Sequence, residues 1–203
     1  LDALVNINLH TKEINAEKKT LNIVRIGTSG SVQADVPVHS FVISEMSLGI
    51  DGVLRFYRDN EMVCDAAFEE AFINECHWTS LAARPYAVKA SDELVDKLHT
   101  EGVTVKGVTL TANGFYGPQG RVLRLPIEMP TVNDEIARFE FGNYKIVNYE
   151  MESAAIAGLA ALMGHRATTI CLIIANRANG DASADYKPHM KKLIEYTLNS
   201  LIR

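Results

Sequence analysis

Four short clusters of polar residues stand out in the sequence, and each one borders an apolar run. The first is RIGTSG at 25–30, in which Arg25 offers a forked guanidinium and Thr28 a hydroxyl donor. Glycines such as Gly30 let a ligand approach the backbone closely. Because a guanidinium pairs with phosphate through two parallel hydrogen bonds, this cluster predicts an oxyanion site at the end of a strand. The pattern is neither a P-loop nor a GxGxxG fingerprint, and a plain strand-ending turn is the alternative interpretation.

The second cluster is FYGPQGR at 115–121, a Gly- and Pro-rich turn that brings together groups suited to a flat heterocycle. Phe115 offers an aromatic face, Gln119 offers a donor and an acceptor, and Arg121 offers donors only. Uracil requires one acceptor for its N3–H and donors for its two carbonyl oxygens. The cluster therefore fits a uracil edge, although an ordinary turn explains the Gly and Pro residues by itself.

The third cluster, NYEMES at 148–153, places two carboxylates where an apolar helix is predicted to begin. A helix N-terminus favours negative charge, and this effect alone can account for them. Because Glu150 and Glu152 are two residues apart, their side chains do not point the same way. One carboxylate can therefore support the structure while the other accepts hydrogen bonds from a pair of sugar hydroxyls.

The fourth cluster is Asn176-Arg177, which directly follows the apolar run TTICLIIA. Ligands of α/β sheets gather near the ends of strands, so Arg177 is a candidate ligand contact, and a solvated loop arginine is the alternative. The six histidines show no HExxH or similar spacing, and no GxSxG motif occurs. The sequence therefore predicts neither a metal site nor a serine hydrolase.

The elements that must position these clusters alternate between strands and helices. Apolar or Val/Thr-rich runs predict strands at 21–27, 38–45, 103–112 and 168–175. Helical spacing and capping residues predict helices at 65–76, 91–99, 151–163 and 184–202. The last helix carries an apolar stripe made of Met190, Leu193, Ile194, Leu198 and Leu201. Several strands are apolar on both faces, which predicts an α/β sandwich around a mixed or parallel sheet.

Composition narrows the class of protein. A chain of 203 residues suits one domain, and its net charge of −5 gives no support for binding nucleic acid or an anionic membrane. No apolar run reaches the ~18 residues of a membrane span. The segment 1–5 lacks the basic start of a signal peptide, so we expect a cytoplasmic protein. The scattered Cys64, Cys76 and Cys171 predict buried thiols in a reducing compartment.

Taken together, the four clusters resemble the nucleoside phosphorylases, and the uridine phosphorylases in particular. RIGTSG resembles the family's phosphate-side strand end, FYGPQGR its base-recognition loop, and NYEMES its ribose-binding signature. The resemblance runs from about residue 21 to the C-terminus. It implies one domain over 1–203, a three-layer sandwich with a central mixed sheet flanked by helices. It also implies that the family's early strand and glycine-rich loop are missing from this chain, which begins without Met.

The resemblance further implies roles at the phosphate and sugar end of a site. Arg25 and Thr28 would contact phosphate, with Thr28 also near the ribose. Met151 would lie behind the ribose, and Glu152 would accept hydrogen bonds from its 2′- and 3′-hydroxyls. Two more residues complete the substrate-binding set at this end, namely Gly30 and Glu150.

At the base end, the resemblance places Phe115 against the base or the sugar. Gln119 and Arg121 would hydrogen bond to the uracil edge, and Arg177 would lie on its O4 side. The residues expected to be catalytic are Gln119, Arg121 and Glu152. Purine-specific relatives have an aspartate after the late strand to protonate purine N7, whereas this chain has Asn176-Arg177, which argues against purines.

The implied reaction is the reversible phosphorolysis of uridine to uracil and ribose 1-phosphate. Phosphate is a co-substrate, and neither a cofactor nor a metal is expected. The expected partners are uridine and phosphate, with no nucleic acid and no membrane, in a homodimer or homohexamer. Four alternatives stay open: a purine nucleoside phosphorylase, a hydrolytic nucleosidase of the same fold, a non-catalytic nucleoside-binding or regulatory protein, and a structural α/β subunit.

Overall fold

The computed structural model describes residues 1–202 of the protein. Its helices are Asp2–Asn6 (α1), Ala66–Glu75 (α2), Asp92–Leu98 (α3), Val132–Arg138 (α4), Ser153–Leu162 (α5) and Lys187–Leu201 (α6). Its strands are Asn22–Ser31 (β1), Phe41–Gly49 (β2), Tyr86–Lys89 (β3), Thr104–Thr111 (β4), Glu140–Phe141 (β5), Tyr144–Glu150 (β6), Arg166–Asn176 (β7) and Asp181–Ala182 (β8). Among these described residues, no helix has both the length and the apolar character needed to cross a membrane.

The strands form one mixed sheet in the order β3-β2-β4-β6-β1-β7-β8, and β5 pairs with β6. Strands β2, β4 and β6 run parallel to one another, β1 runs parallel to β7, and β1 is antiparallel to β6. Residues 41–43 of β2 also pair with residues 170–172 of β7, so five strands close into a ring. The mixed sheet with its helices confirms the fold class predicted from the sequence, whereas the ring closure was not foreseen.

Buried apolar side chains pack the helices against one another and against the sheet. The aromatic rings of Phe68 and Phe72 on α2 meet Phe139, which follows α4, edge to face. On α3 and α6, Leu98 and Leu193 are fully buried against strands β2 and β7. Helix α5 is rich in alanine, and none of its residues is exposed.

A chain of buried polar side chains crosses four strands of the ring. The Ser44 and Thr109 hydroxyls lie 2.5 Å apart, and Thr109 donates to Oδ1 of Asn148 at 2.9 Å. Nδ2 of Asn148 then donates to the hydroxyl of Ser29 on β1 at 2.8 Å. Because each buried polar group in this chain has a partner, the ring is fixed by specific bonds as well as by apolar packing.

Two predicted strand boundaries were wrong. The strand that begins at Asn22 continues to Ser31, so RIGTSG lies within a strand and not in a turn, because β7 pairs with it as far as Asn176. The second strand begins at Phe41 and not at residue 38. His39 has a φ of +74°, a left-handed conformation that interrupts extended backbone.

The last helix and one cysteine also differ from expectation. Helix α6 begins at Lys187, three residues later than predicted, where the following proline fits a first helical turn. Only part of its predicted apolar stripe is buried, because Ile194 and Leu198 face solvent. Cys76 and Cys171 are buried as predicted, whereas Cys64 is half-buried, and all three are free thiols.

Candidate active site

Strand β1 runs past the end of β6, and this offset brings the first and third clusters together. The two strands pair only at Gly30 and Ser31. Arg25, five residues earlier, therefore faces the start of α5. Its Nη1 lies 3.2 Å from Oε2 of Glu150, and its Nη2 donates to Glu152. One guanidinium is thus held between two carboxylates.

Glu150 and Glu152 occupy different environments, as their spacing predicts. The Glu150 side chain is 1 % exposed, whereas that of Glu152 is 55 % exposed. Oε2 of Glu150 accepts from the backbone N–H groups of Glu152 and Ser153 at 2.8 and 2.9 Å, and Oε1 accepts from the Thr111 hydroxyl at 2.5 Å. Oε2 therefore caps the start of α5 and Oε1 is held by Thr111, so both oxygens have partners within the protein. The substrate contact expected of Glu150 from the sequence stays a prediction.

Glu150→Gln is expected to lower the free energy of unfolding by about 1–3 kcal/mol, the usual cost of a lost hydrogen bond to a charged group. The new amide nitrogen would face the N–H donors of α5, and Arg25 would lose a counter-charge. Urea unfolding of the variant and the wild type measures the change. Glu195→Gln removes an exposed carboxylate from α6 and should leave the midpoint unchanged. Equal midpoints for all three proteins would contradict the capping role.

The surface of β1 is shaped by its glycines. A Cβ at Gly27 would lie 2.5 Å from Nη1 of Arg25, so the glycine makes room for the guanidinium to fold along its own strand. A Cβ at Gly30 would meet nothing closer than 3.7 Å, which leaves the backbone there open. Thr28 lies between them and is half-buried. Exposed Met151 follows Glu150 at the β6–α5 junction, so this end of the site opens to solvent.

The second and fourth clusters meet at Gln119. This side chain is buried in a short 3₁₀ turn, Gly117–Gln119, which ends at Gly120 with a φ of +69°. Its Oε1 accepts from Nη1 of Arg121 at 2.7 Å and from Nη2 of Arg177 at 2.6 Å. Nη1 of Arg177 also donates to the backbone carbonyl of Gln119 at 2.6 Å. Two guanidiniums therefore converge on one amide.

Each of these guanidiniums lies over an aromatic ring. The Cζ atom of Arg121 is 3.8 Å from the ring centroid of Phe115, which is exposed, and that of Arg177 is 4.6 Å from the ring centroid of Tyr149. Sequence reasoning placed Tyr149 in the third cluster and gave it no role, because a tyrosine beside a strand is typical of the core. Its contact with Arg177 is visible only in three dimensions.

The two ends of the site differ in charge balance. Arg25 faces two carboxylates, whereas Arg121 and Arg177 donate only to neutral oxygens and form no ion pair with residues 1–202. Burial lowers the pKa of Arg121. Burial and the nearby Arg121 together lower the pKa of Arg177 to about 10. Two guanidiniums therefore lie together at this end of the site without a carboxylate partner among residues 1–202.

Asn176 is directed away from this pair and into the protein. Its Nδ2 donates to the carbonyls of Gln33 and Val36, each at 2.9 Å, and its Oδ1 accepts from the backbone N–H of Asn179 at 3.0 Å. Of the Asn176-Arg177 pair, only Arg177 joins the site.

A cavity of about 850 Å³ adjoins the base end. Its lining is mostly apolar and includes Trp78, Tyr116, Leu123 and Met129. Arg121 is the one predicted site residue that borders it, so the cavity lies beside the site and does not coincide with it. In the described part of the chain, no group of three or more His, Cys, Asp or Glu side chains could hold a metal ion.

This fold and this arrangement of clusters agree with the family relationship that the sequence suggests. The chain belongs to the phosphorylase superfamily, whose family model matches residues 5–200. The resemblance to nucleoside phosphorylases drawn from the four clusters is thereby confirmed.

The similar curated proteins act on two kinds of nucleoside, according to their names. A DeoD-type purine nucleoside phosphorylase of Actinobacillus succinogenes is 27 % identical over 198 residues, which covers 96 % of this chain and 69 % of that protein. A uridine phosphorylase of Thermococcus kodakarensis is 24 % identical over 164 residues, which covers 78 % of this chain and 50 % of that protein. A DeoD-type enzyme of Listeria welshimeri is 25 % identical over 83 % of this chain and 58 % of its own length. The chain thus spans about half to two thirds of these relatives.

Two solved structures share the fold. A nucleoside phosphorylase of Trypanosoma brucei, described as showing uridine phosphorylase activity, superposes with a TM-score of 0.81 at 20 % identity. The match covers 99 % of this chain and 73 % of that one. Isoform 2 of uridine phosphorylase from Schistosoma mansoni has a TM-score of 0.61 at 21 % identity, over 92 % of this chain and 60 % of the other.

Proposed function

We propose that the protein is a uridine phosphorylase, which reversibly converts uridine and phosphate to uracil and ribose 1-phosphate. The observation that carries this proposal is the pair of guanidiniums, Arg121 and Arg177, that meet at Gln119 without a counter-charge. A uracil that leaves C1′ takes the electron pair of the glycosidic bond and departs as an anion. Preorganised donors placed where such charge develops are a major source of catalysis.

The remaining groups fit the other parts of the substrates. Phosphate binds at Arg25 and Thr28, and the ribose lies against Met151 with its 2′- and 3′-hydroxyls donating to Glu152. Along β1, Arg25 and Gly30 are roughly 16 Å apart, since an extended strand rises about 3.3 Å per residue. This length accommodates phosphate, ribose and base side by side. Arg25 donates to Glu152, and on binding, phosphate and the ribose diol replace this ion pair with bonds of their own.

The reaction requires no side-chain nucleophile and no cofactor. A phosphate oxygen forms a bond to C1′ while the C1′–N1 bond breaks, and the departing uracil anion then takes a proton from solvent. Binding aligns the two substrates, which removes most of the entropic barrier of their encounter. Gln119, Arg121 and Arg177 stabilise the leaving base, and Glu152 orients C1′ toward phosphate.

A purine nucleoside phosphorylase is the second candidate, because the relative from Actinobacillus succinogenes matches nearly the whole chain. The geometry around Asn176 favours uridine. A purine leaves most easily when an acid protonates N7, and Asn176 is an amide whose hydrogen bonds all point into the protein. We further propose a cytoplasmic homodimer or homohexamer that binds uridine and phosphate, and neither nucleic acid nor membrane.

The proposed function is tested by incubating the protein with uridine, with and without phosphate, while uracil release is followed. Inosine is the parallel substrate. We expect uracil release that requires phosphate and no release of hypoxanthine. Release from uridine without phosphate would instead indicate a nucleosidase, and release from inosine a purine enzyme. Tight binding of uracil without turnover of either nucleoside would favour a binding protein.

A further inference from the structure

We infer that Asn133 is a positioning residue that fixes Gln119 in the base site; this inference rests on the proposed function. Asn133 lies in the first turn of α4 and directs all of its polar side-chain atoms toward that site. Its Nδ2 donates to the backbone carbonyls of Gln119 and Gly120 at 3.2 and 3.4 Å. Its Oδ1 accepts from the Tyr149 hydroxyl at 3.3 Å.

The turn closes directly onto this amide. Gly120 has a φ of +69°, a conformation that favours glycine. A Cβ at this position would also lie only 2.2 Å from Nδ2 of Asn133. A side chain at position 120 would therefore clash with Asn133, so the turn requires glycine here.

Asn133 is also linked to Arg177 through two shared partners. The Gln119 carbonyl that it bonds accepts from Arg177 as well, and the Tyr149 ring that it anchors lies under the Arg177 guanidinium. Asn133 thus acts on the base through Gln119 and Tyr149. Residues 121–131, which follow the turn, contain no helix or strand that could hold it from that side.

Loss of this amide should therefore weaken the base end alone. Arg25, at the phosphate end, is held by Glu150 and Glu152 and has no bond to Asn133. For Asn133→Ala we expect the Kd for uracil to rise about tenfold, as the loss of one to two hydrogen bonds implies. The Kd for inorganic phosphate should stay within about twofold of wild type, and the thermal midpoint of unfolding should change little.

Isothermal titration of the protein with uracil and, separately, with inorganic phosphate tests the inference. Tyr149→Phe removes only the hydroxyl bond to Asn133 and keeps the ring, so we expect the Kd for uracil to rise about twofold. This variant carries the test if Asn133→Ala does not fold. Asp134→Asn, on the exposed side of the same helix, should change neither Kd.

The inference would be overturned if both variants bound uracil as tightly as the wild type. It would also be overturned if the variants lost uracil and phosphate affinity equally, because such a result indicates general unfolding. Wild-type protein that binds no uracil at all would instead overturn the proposed function, and the inference with it. A selective loss of uracil affinity that follows the order wild type, Tyr149→Phe, Asn133→Ala would establish the positioning role. In active enzyme the same order should appear in KM for uridine and not in KM for phosphate.

Discussion

Arg121→Ala should reduce kcat/KM for uridine cleavage by about 10²–10³-fold, the usual effect of removing one preorganised donor from a site of developing charge. Arg121 donates to Gln119 and lies on the Phe115 ring, and no carboxylate neutralises it. The variant removes half of the positive charge that meets the departing uracil. The fold should be kept, since Arg121 is only partly buried and lies in a loop. Steady-state rates at saturating phosphate measure the effect.

Two comparisons sharpen this experiment. Arg124→Ala removes an exposed arginine from the same loop and should cleave uridine at the wild-type rate. 5-Fluorouridine releases a base that is more stable as an anion than uracil is. The Arg121→Ala substitution should therefore reduce its cleavage less than it reduces the cleavage of uridine. Retained kcat/KM in Arg121→Ala would contradict the assignment of the base end.

Glu152→Gln should raise KM for uridine about 10–100-fold, because hydrogen bonds from hydroxyls to a carboxylate are worth about 1.5–3 kcal/mol. The same change has an opposite consequence for phosphate. Arg25 donates to Glu152, and loss of that carboxylate leaves Glu150 as the one acidic partner of the guanidinium, so Nη2 can turn to phosphate. KM for phosphate should therefore stay the same or fall. Initial rates with both substrate concentrations varied separate the two effects.

Deoxyuridine provides an internal control for Glu152, because it lacks the 2′-hydroxyl and has one fewer bond to lose. The penalty of Glu152→Gln should be smaller on deoxyuridine than on uridine. Glu195→Gln, on the exposed side of α6, should change neither KM. If Glu152→Gln cleaves uridine as well as the wild type, the ribose role of this carboxylate is wrong.

Local pattern predicted the elements whose apolar side chains are buried in a regular period. Strand β7 and helices α2 and α5 are examples, since burial on two faces or on one helical stripe leaves a direct trace in the sequence. The different environments of Glu150 and Glu152 also followed from their spacing. The end of β1 could not be predicted, because the strand extends along Thr, Ser and Gly residues that pairing with β7 and β6 keeps extended.

The residues that sequence reasoning missed share one property: their types are ordinary and their partners are distant. Asn133 is a polar residue near a helix start, and Tyr149 is the next-to-last residue of strand β6. Neither type marks a site by itself. Asn133 contacts Gln119, which lies 14 residues away along the chain, and Tyr149 contacts Arg177, which lies 28 residues away. Their importance arises from these contacts. Such pairings depend on tertiary packing, which a single sequence does not reveal.

The ring of five strands determines when the site can form during synthesis. Strand β1 pairs only with β6 and β7 within the described chain, and Arg25 pairs with Thr169 of β7. Arg25 therefore has no hydrogen-bonded neighbouring strand until β7 has emerged from the ribosome. Pairing across such sequence separations is slow, because the intervening chain must first be ordered. We therefore expect a nascent chain that ends before β7 to hold neither phosphate nor base. Both ends of the site would then mature together, in the last stage of folding.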